Sequence, residues 1–278
     1  MMHDFGLTEH YAVFHVVPIV GSWERLRAGL PHFGFDTTQP IYLGVLPREG
    51  TAADIRWFTA PNCFASHVMN AFEEGTKVHF DVPMAKGNAF PFFPDVHGAE
   101  FDPHKAHCYL TRWTVDMASR GEAFEGMKRL AELSGEFPRI DDRYTSQPYR
   151  FGFMLAQDFS RPLQLPGGRS ATGMMMNLLA GIDHASGTVQ TYWAGPTSTL
   201  QEPCVIPKSP TAPEGDGYLV TVANRLAEGR SDLLIFDAQR LTEGPIATVK
   251  LELRLRPALH GNWAPESQLQ RPGTAVTT

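Results

Sequence analysis

Residues 247–255 read Ala-Thr-Val-Lys-Leu-Glu-Leu-Arg-Leu, so that Val249, Leu251, Leu253 and Leu255 alternate with Lys250, Glu252 and Arg254. Side chains of an extended strand point to opposite faces with a period of two. This stretch therefore predicts a half-buried strand with one apolar and one wet face. Working outward, apolar runs bounded by turn signals occur at 11–20, 41–46, 55–59, 64–72, 77–82, 108–116, 149–155, 172–179, 189–193, 204–207, 218–223 and 232–236. Gly167-Gly168, Glu214-Gly215-Asp216-Gly217 and Glu243-Gly244-Pro245 punctuate them. Short strands at regular spacing with polar turns predict an all-β sandwich, barrel or propeller.

The composition agrees. The chain has 278 residues, 42% of them hydrophobic and 19% charged, with 25 Gly and 22 Pro. A chain this long can bury roughly three quarters of its unfolded surface. The mix excludes a coiled coil, a disulfide miniprotein and a largely disordered chain. A net charge of −6 argues against nucleic acid as a partner, because displacing phosphate counterions needs a basic surface. Two stretches read as helices. Residues 22–30 open on Ser22 and carry Gly29 near their end, and 121–133 carry Phe124, Met127, Leu130 and Leu133 at helical spacing. The latter stripe is expected to face a core. The residues after Trp263, rich in Gln, Pro and Thr, are expected to form a disordered tail over 265–278.

Cys63, Cys108 and Cys204 form no CxxC pair and are odd in number, which favours free thiols in a reducing cytoplasm. The first residues have neither the basic nor the apolar region of a signal peptide. No apolar stretch is long enough to span a bilayer.

There are eleven histidines and no HExxH. His104 and His107 have ligand spacing but follow Asp102-Pro103 in a polar turn and read as a solvated pair. His15 and His79 sit inside strand patterns, where a satisfied imidazole is the default. His3, His67 and His260 lie beside small or turn-forming residues at apparent strand ends, far apart in sequence. A fold that brings distant strand ends to one axis, such as a propeller, could join them on a metal. Glu136 and Glu202 each open an apparent strand and are candidates to orient such histidines from behind.

At these residues a family resemblance emerges. His3-Asp4-Phe5-Gly6-Leu7-Thr8-Glu9-His10-Tyr11 resembles the second iron-ligand segment of the carotenoid cleavage oxygenases. His67-Val68-Met69-Asn70-Ala71-Phe72-Glu73-Glu74-Gly75 resembles the third, and Leu259-His260-Gly261-Asn262-Trp263 the fourth. Glu136-Phe137-Pro138-Arg139-Ile140-Asp141 with Pro148-Tyr149-Arg150, and Gln201-Glu202-Pro203, resemble the segments of two glutamates that support the ligands. The wording around His3 and Glu136 is similar to the bacterial lignostilbene dioxygenase branch.

The resemblance implies an all-β fold, part of a seven-bladed β-propeller made of its C-terminal blades over 1–264, with short helices and capping loops. It implies Fe(II) held by His3, His67 and His260, with Glu136 behind His67 and Glu202 behind His260, and no catalytic residue beyond the metal ligands. Phe90 and Phe92, in Phe90-Pro91-Phe92-Phe93-Pro94, are candidates to line the substrate cavity, with core packing the equal alternative. The implied activity is that of a dioxygenase that cleaves the C=C bond of a small phenolic stilbenoid with O₂ to give two aromatic aldehydes. An apocarotenoid substrate is the alternative within the family. The family's first ligand segment has no counterpart among these motifs, and a complete ring needs about 28 strands. The chain is therefore expected to be a fragment of such an enzyme, or an inactive propeller remnant with an incomplete three-histidine site.

Overall fold

The computed structural model describes residues 1–165, 167 and 175–269. In chain order its strands are β1 (Phe5–Leu7), β2 (Tyr11–Val16), β3 (Ile19–Gly21), β4 (Phe33–Phe35), β5 (Ile41–Pro47), β6 (Arg56–Ala60), β7 (Phe64–Ala65), β8 (Asn70–Glu74), β9 (Lys77–Ala85), β10 (Tyr109–Asp116), β11 (Gly126–Arg139), β12 (Phe151–Ala156), β13 (Leu178–Asp183), β14 (Thr188–Trp193), β15 (Ser198–Leu200), β16 (Cys204–Pro207), β17 (Gly217–Arg225), β18 (Arg230–Asp237) and β19 (Ala247–Lys250). One short helix, α1 (Trp23–Arg27), is capped by the Ser22 hydroxyl, which accepts from the Arg25 amide. The fold is all-β with few helical residues.

The strands pair antiparallel in three main sheets and one ribbon. The first sheet has the order β1-β2-β5-β6, and β3 pairs with β4. The second runs β14-β13-β12-β11-β10-β9-β7, with β8 also on β9. The third runs β15-β17-β18-β19, with β16 also on β17. The second sheet is two meanders joined by one strand. β11 pairs with β10 as far as Ser134, opposite Tyr109, and with β12 from Gly135, opposite Ala156.

These units pack face to face in succession. Val13, Leu43 and Phe58 of the first sheet meet Phe80, Val82 and Trp113. Phe72 and Leu110 meet Met154 and Leu178. Leu155 and Leu179 meet Leu219, Leu234 and Phe236 of the third sheet. The alternating burial of β10 and β17 is the period-two pattern expected where one face meets a neighbouring sheet. Each such aromatic or leucine side chain contributes roughly 1.5–3 kcal/mol on leaving water.

Gly135 sits at the crossing point of β11. A Cβ there would lie 2.3 Å from the Leu155 carbonyl oxygen, a backbone atom that cannot swing aside. Gly135→Ala is therefore expected to destabilise by about 1–3 kcal/mol. Gly126→Ala, in the same strand with nothing within 4 Å, is expected to stay within about 0.5 kcal/mol. Urea midpoints at unchanged slope measure both; equal midpoints for the two variants would contradict the crossing argument.

Several expectations need correction. Residues 121–133 form no helix: β11 begins at Gly126, and Arg129 pairs with Thr111 of β10. Gly121 and Gly126 weaken a helix, and the edge of β10 pairs instead with residues 126–129 and, past a register shift, with Ser134. The alternating stretch 247–255 is not a half-buried strand. β19 stops at Lys250, all of it is exposed, and Leu253 is 59% exposed. β19 is the outermost strand of its sheet; the Leu251 amide still donates to the Ser231 carbonyl as a last rung, but the Leu255 amide donates to the Ser231 hydroxyl, off the ladder. The run 11–20 breaks at Val17-Pro18, because Pro18 has no N–H to donate. The run 64–72 breaks between β7 and β8, and His67 lies in that break. Residues 172–174 of another expected strand lie outside the described residues, as do 270–278 of the expected tail; Glu266–Gln268, also in that tail, form a 3₁₀ turn.

Candidate metal centre

The site is delivered by strand starts. His3 lies just before β1, separated from it by Asp4, while His67 precedes β8 and Glu202 precedes β16. β1 is the end strand of its sheet, and β8 and β16 each pair with a single neighbour. Glu136 sits in β11 just after its crossing point.

Two contacts bring His3 beside His67. Gly6 of β1 presses onto the next unit: a Cβ there would fall 2.7 Å from Ala71 Cβ and 2.8 Å from Phe80 Cε2. Only glycine permits that approach. Asp4 then ties the segments together. Its Oδ1 accepts from the Phe5 amide at 2.8 Å and its Oδ2 from the Val68 amide at 2.8 Å.

The His3 and His67 Nε2 atoms stand 3.3 Å apart, with ring centroids at 5.1 Å and planes at 70°. The His67 and His260 rings are 5.0 Å apart at 78°. Two imidazoles sharing one cation at about 2.1 Å place their nitrogens about 3.0–3.4 Å apart. His67 thus belongs to two adjoining pairs. Among the described residues no group of three or more His, Cys, Asp or Glu side chains forms a ready-made metal cage. Both pairs share His67.

The carboxylates set the tautomers. Glu136 Oε2 lies 2.7 Å from His67 Nδ1, and its Oε1 accepts from the Ser66 hydroxyl. A proton on Nδ1 leaves the His67 Nε2 lone pair bare toward His3, the arrangement found behind metal-binding histidines. Burial alone would lower the His67 imidazole. The Glu136 hydrogen bond, with the charges of Glu136, Asp4 and Glu202, holds it above its ordinary value. The same carboxylates make the pocket attractive to a cation. Glu202 supports His260 more loosely: Oε1 is 3.3 Å from Nδ1, and Oε2 accepts from the Gly261 amide at 3.0 Å. His260 is 53% exposed against 14% for His67. Imidazole donors oriented in this way suit divalent iron, zinc or copper.

Four further residues shape the site and were not singled out in the sequence. Asp4 and Ser66 are immediate neighbours of the histidines. Phe137 has φ +55, in the left-handed region that non-glycine residues rarely enter, at a register shift between Glu136 and Arg139. The bulge lets consecutive residues face the same way. Glu136 reaches His67 while the Phe137 ring stacks on it at 5.2 Å and 27°. Pro138 inside a strand is the sequence signal for such a bulge. Arg139 lies 3.5 Å from Glu202 Oε2 and donates to Asn262 Oδ1 at 3.2 Å, which links β11 to the His260 segment.

Phe90 and Phe92 lie in the connection between β9 and β10. They stack on each other at 4.9 Å, and Phe90 packs on Phe64 of β7 at 4.9 Å. Phe92 is 63% exposed. Their ring contacts run on through Phe93 to Phe33 rather than to His3, His67 or His260.

The model of the retinal pigment epithelial membrane protein family matches residues 1–265. The chain is 54% identical over 272 residues to lignostilbene-α,β-dioxygenase isozyme III of Sphingomonas paucimobilis, which covers 97% of this chain and 55% of that protein. It is 42% identical over 264 residues to isoeugenol monooxygenase of Pseudomonas putida, covering 94% of this chain and 54% of that protein. The crystal structure of a Pseudomonas brassicacearum lignostilbene dioxygenase superimposes with a TM-score of 0.90 at 40% identity, over 95% of this chain and 55% of that one. The chain spans about half the length of the curated relatives it matches.

Proposed function

Since the chain belongs to the retinal pigment epithelial membrane protein family, the carotenoid cleavage oxygenases, we propose that it carries the iron-binding part of a dioxygenase that cleaves the C=C bond of a stilbenoid. In this reading the four-stranded units are consecutive blades of a seven-bladed propeller over 1–264, with β1, β8, the end of β11 and β16 nearest the axis. His3, His67 and His260 hold Fe(II). The observation that carries the reading is the buried Glu136–His67 pair, which leaves the His67 Nε2 lone pair facing His3.

The residues divide the work. Glu136 and Glu202 keep the Nδ1 protons of His67 and His260 and fix both rings. Asp4 and Gly6 set the spacing of His3 from His67. Phe137 walls one face of His67 and keeps water from it. Bound iron supplies the site at which O₂ is activated toward the alkene. The two oxygen atoms of O₂ balance the two aldehydes formed when the double bond is broken. The alkene needs no charged partner, so placement beside the histidines in a water-poor cavity is what the protein adds. Phe90 and Phe92 are proposed to line its apolar entrance.

Glu136→Gln is expected to weaken divalent-metal affinity about 10–100-fold, and Glu202→Gln less, because His260 is more exposed and more loosely held. Equilibrium dialysis with Co(II) measures both; a larger loss for Glu202→Gln would contradict this ordering. The function itself is tested by supplying the chain with Fe(II), O₂ and a hydroxystilbene, with an apocarotenal in parallel. Two aromatic aldehydes from the stilbene are expected. Cleavage of the apocarotenal alone moves the assignment to carotenoids, and cleavage of neither by iron-loaded protein overturns the catalytic reading for this chain.

A further inference from the structure

We propose that His15, a core residue of β2, is a positioning residue for the Glu136–His67 pair and acts through Ser66. The proposal rests on the metal-site reading above. His15 is 1% exposed, and its Nε2 lies 2.9 Å from the Ser66 carbonyl oxygen across a sequence separation of 51. A carbonyl only accepts, so Nε2 bears the proton and Nδ1 is a bare lone pair. That Nδ1 is buried with no partner. The ring packs against Phe80 at 5.4 Å and Trp113 at 6.5 Å. Burial pushes this imidazole down to about 4, so it is neutral at neutral pH. An apolar residue would suit such surroundings better, since burying an unpartnered acceptor is costly. The Ser66 contact is what the imidazole gains in return.

Ser66 is a node. It lies in the break between β7 and β8, outside any strand ladder. Its carbonyl is held from the core by His15, and its hydroxyl donates to Glu136 Oε1. The other Glu136 oxygen holds His67 Nδ1. A chain of hydrogen bonds thus runs from the first sheet to the His67 ring: His15 Nε2–H to Ser66 O, Ser66 Oγ–H to Glu136, and His67 Nδ1–H to Glu136. Loss of the first link frees the backbone on which both Ser66 Oγ and His67 depend.

The test loads the chain with Co(II) and compares the wild type with His15→Leu, His15→Asn and His15→Gln. Folding is followed by circular dichroism and urea unfolding, the site by Co(II) affinity and its d–d absorption. Gln keeps an N–H donor of similar reach; Leu has none, and Asn is too short. His15→Leu is expected to bind Co(II) about tenfold more weakly, with an altered d–d band, while losing little stability. His15→Asn is expected to show the same loss, and it serves as the removal variant if His15→Leu does not fold. His15→Gln is expected to keep the wild-type band and an affinity within about threefold. Unchanged affinity and spectrum in the removal variants overturn the proposal, as does equal damage in His15→Gln. A wild-type chain that binds no Co(II) sinks the metal-site reading and this proposal with it, an outcome distinct from a wild type that binds and a His15→Leu that binds equally.

Discussion

His67→Ala is expected to abolish specific divalent-metal binding, with a loss beyond the roughly 10–100-fold of a supporting residue. His67 is the ring common to both histidine pairs: its Nε2 is 3.3 Å from that of His3, and its ring is 5.0 Å from that of His260. Without it, the ring that faces both His3 and His260 is gone, and Glu136 keeps Ser66 and the Phe137 amide as partners. His260→Ala removes an exposed ring on a coil and is expected to lose less. Co(II) dialysis on the two variants gives the order directly. Retention of wild-type affinity by His67→Ala would contradict the geometry proposed for the site.

The largest stability effect is expected away from the site, at Asp81. Its carboxylate is fully buried and receives Arg112 Nε at 2.9 Å, Arg112 Nη2 at 2.8 Å and the Tyr149 hydroxyl at 2.6 Å. The bidentate fork is the strongest geometry such a pair can adopt. Asp81→Ala strands a largely buried guanidinium over the Phe72 ring and an enclosed phenol, and is expected to cost about 3–5 kcal/mol. Adding Arg112→Met should recover part of that loss, because the stranded charge goes with it. Urea unfolding of the single and double variants measures the coupling. A loss below about 1 kcal/mol for Asp81→Ala, or strictly additive losses, would show that the network is not an interdependent unit.

The fold class was legible because it depends on local signals. Apolar runs of strand length between Gly- and Pro-rich turns recur along the chain, and strands such as β5, β9, β10 and β18 occur where the runs are. Register and partners were not legible. The stripe Phe124, Met127, Leu130 and Leu133 has helical spacing, and it is overridden because β10 pairs with residues 126–129 and Ser134 of the same stretch. The alternation at 247–255 reads as half-buried until β19 proves to be the last strand of its sheet. Burial depends on what lies opposite, and that is tertiary information.

The same limit divides the site. His3, His67, His260, Glu136 and Glu202 stood out through their immediate neighbours, and the structure sets His67 beside His3, His260 and Glu136. Asp4, Ser66 and Phe137 stood in the same segments without a signal for their roles, apart from Pro138 after Phe137. His15 gave none. Its imidazole reads as an ordinary strand residue, and only the arrival of Ser66, from the break between β7 and β8, gives its Nε2 a partner.

The most direct test of the central claim is X-ray absorption of the chain after anaerobic titration with Fe(II). One tightly held metal per chain is expected, with three imidazole nitrogens at about 2.1 Å, a signal that His67→Ala removes. No stoichiometric binding, or a shell of oxygen atoms without imidazole scattering, would contradict it.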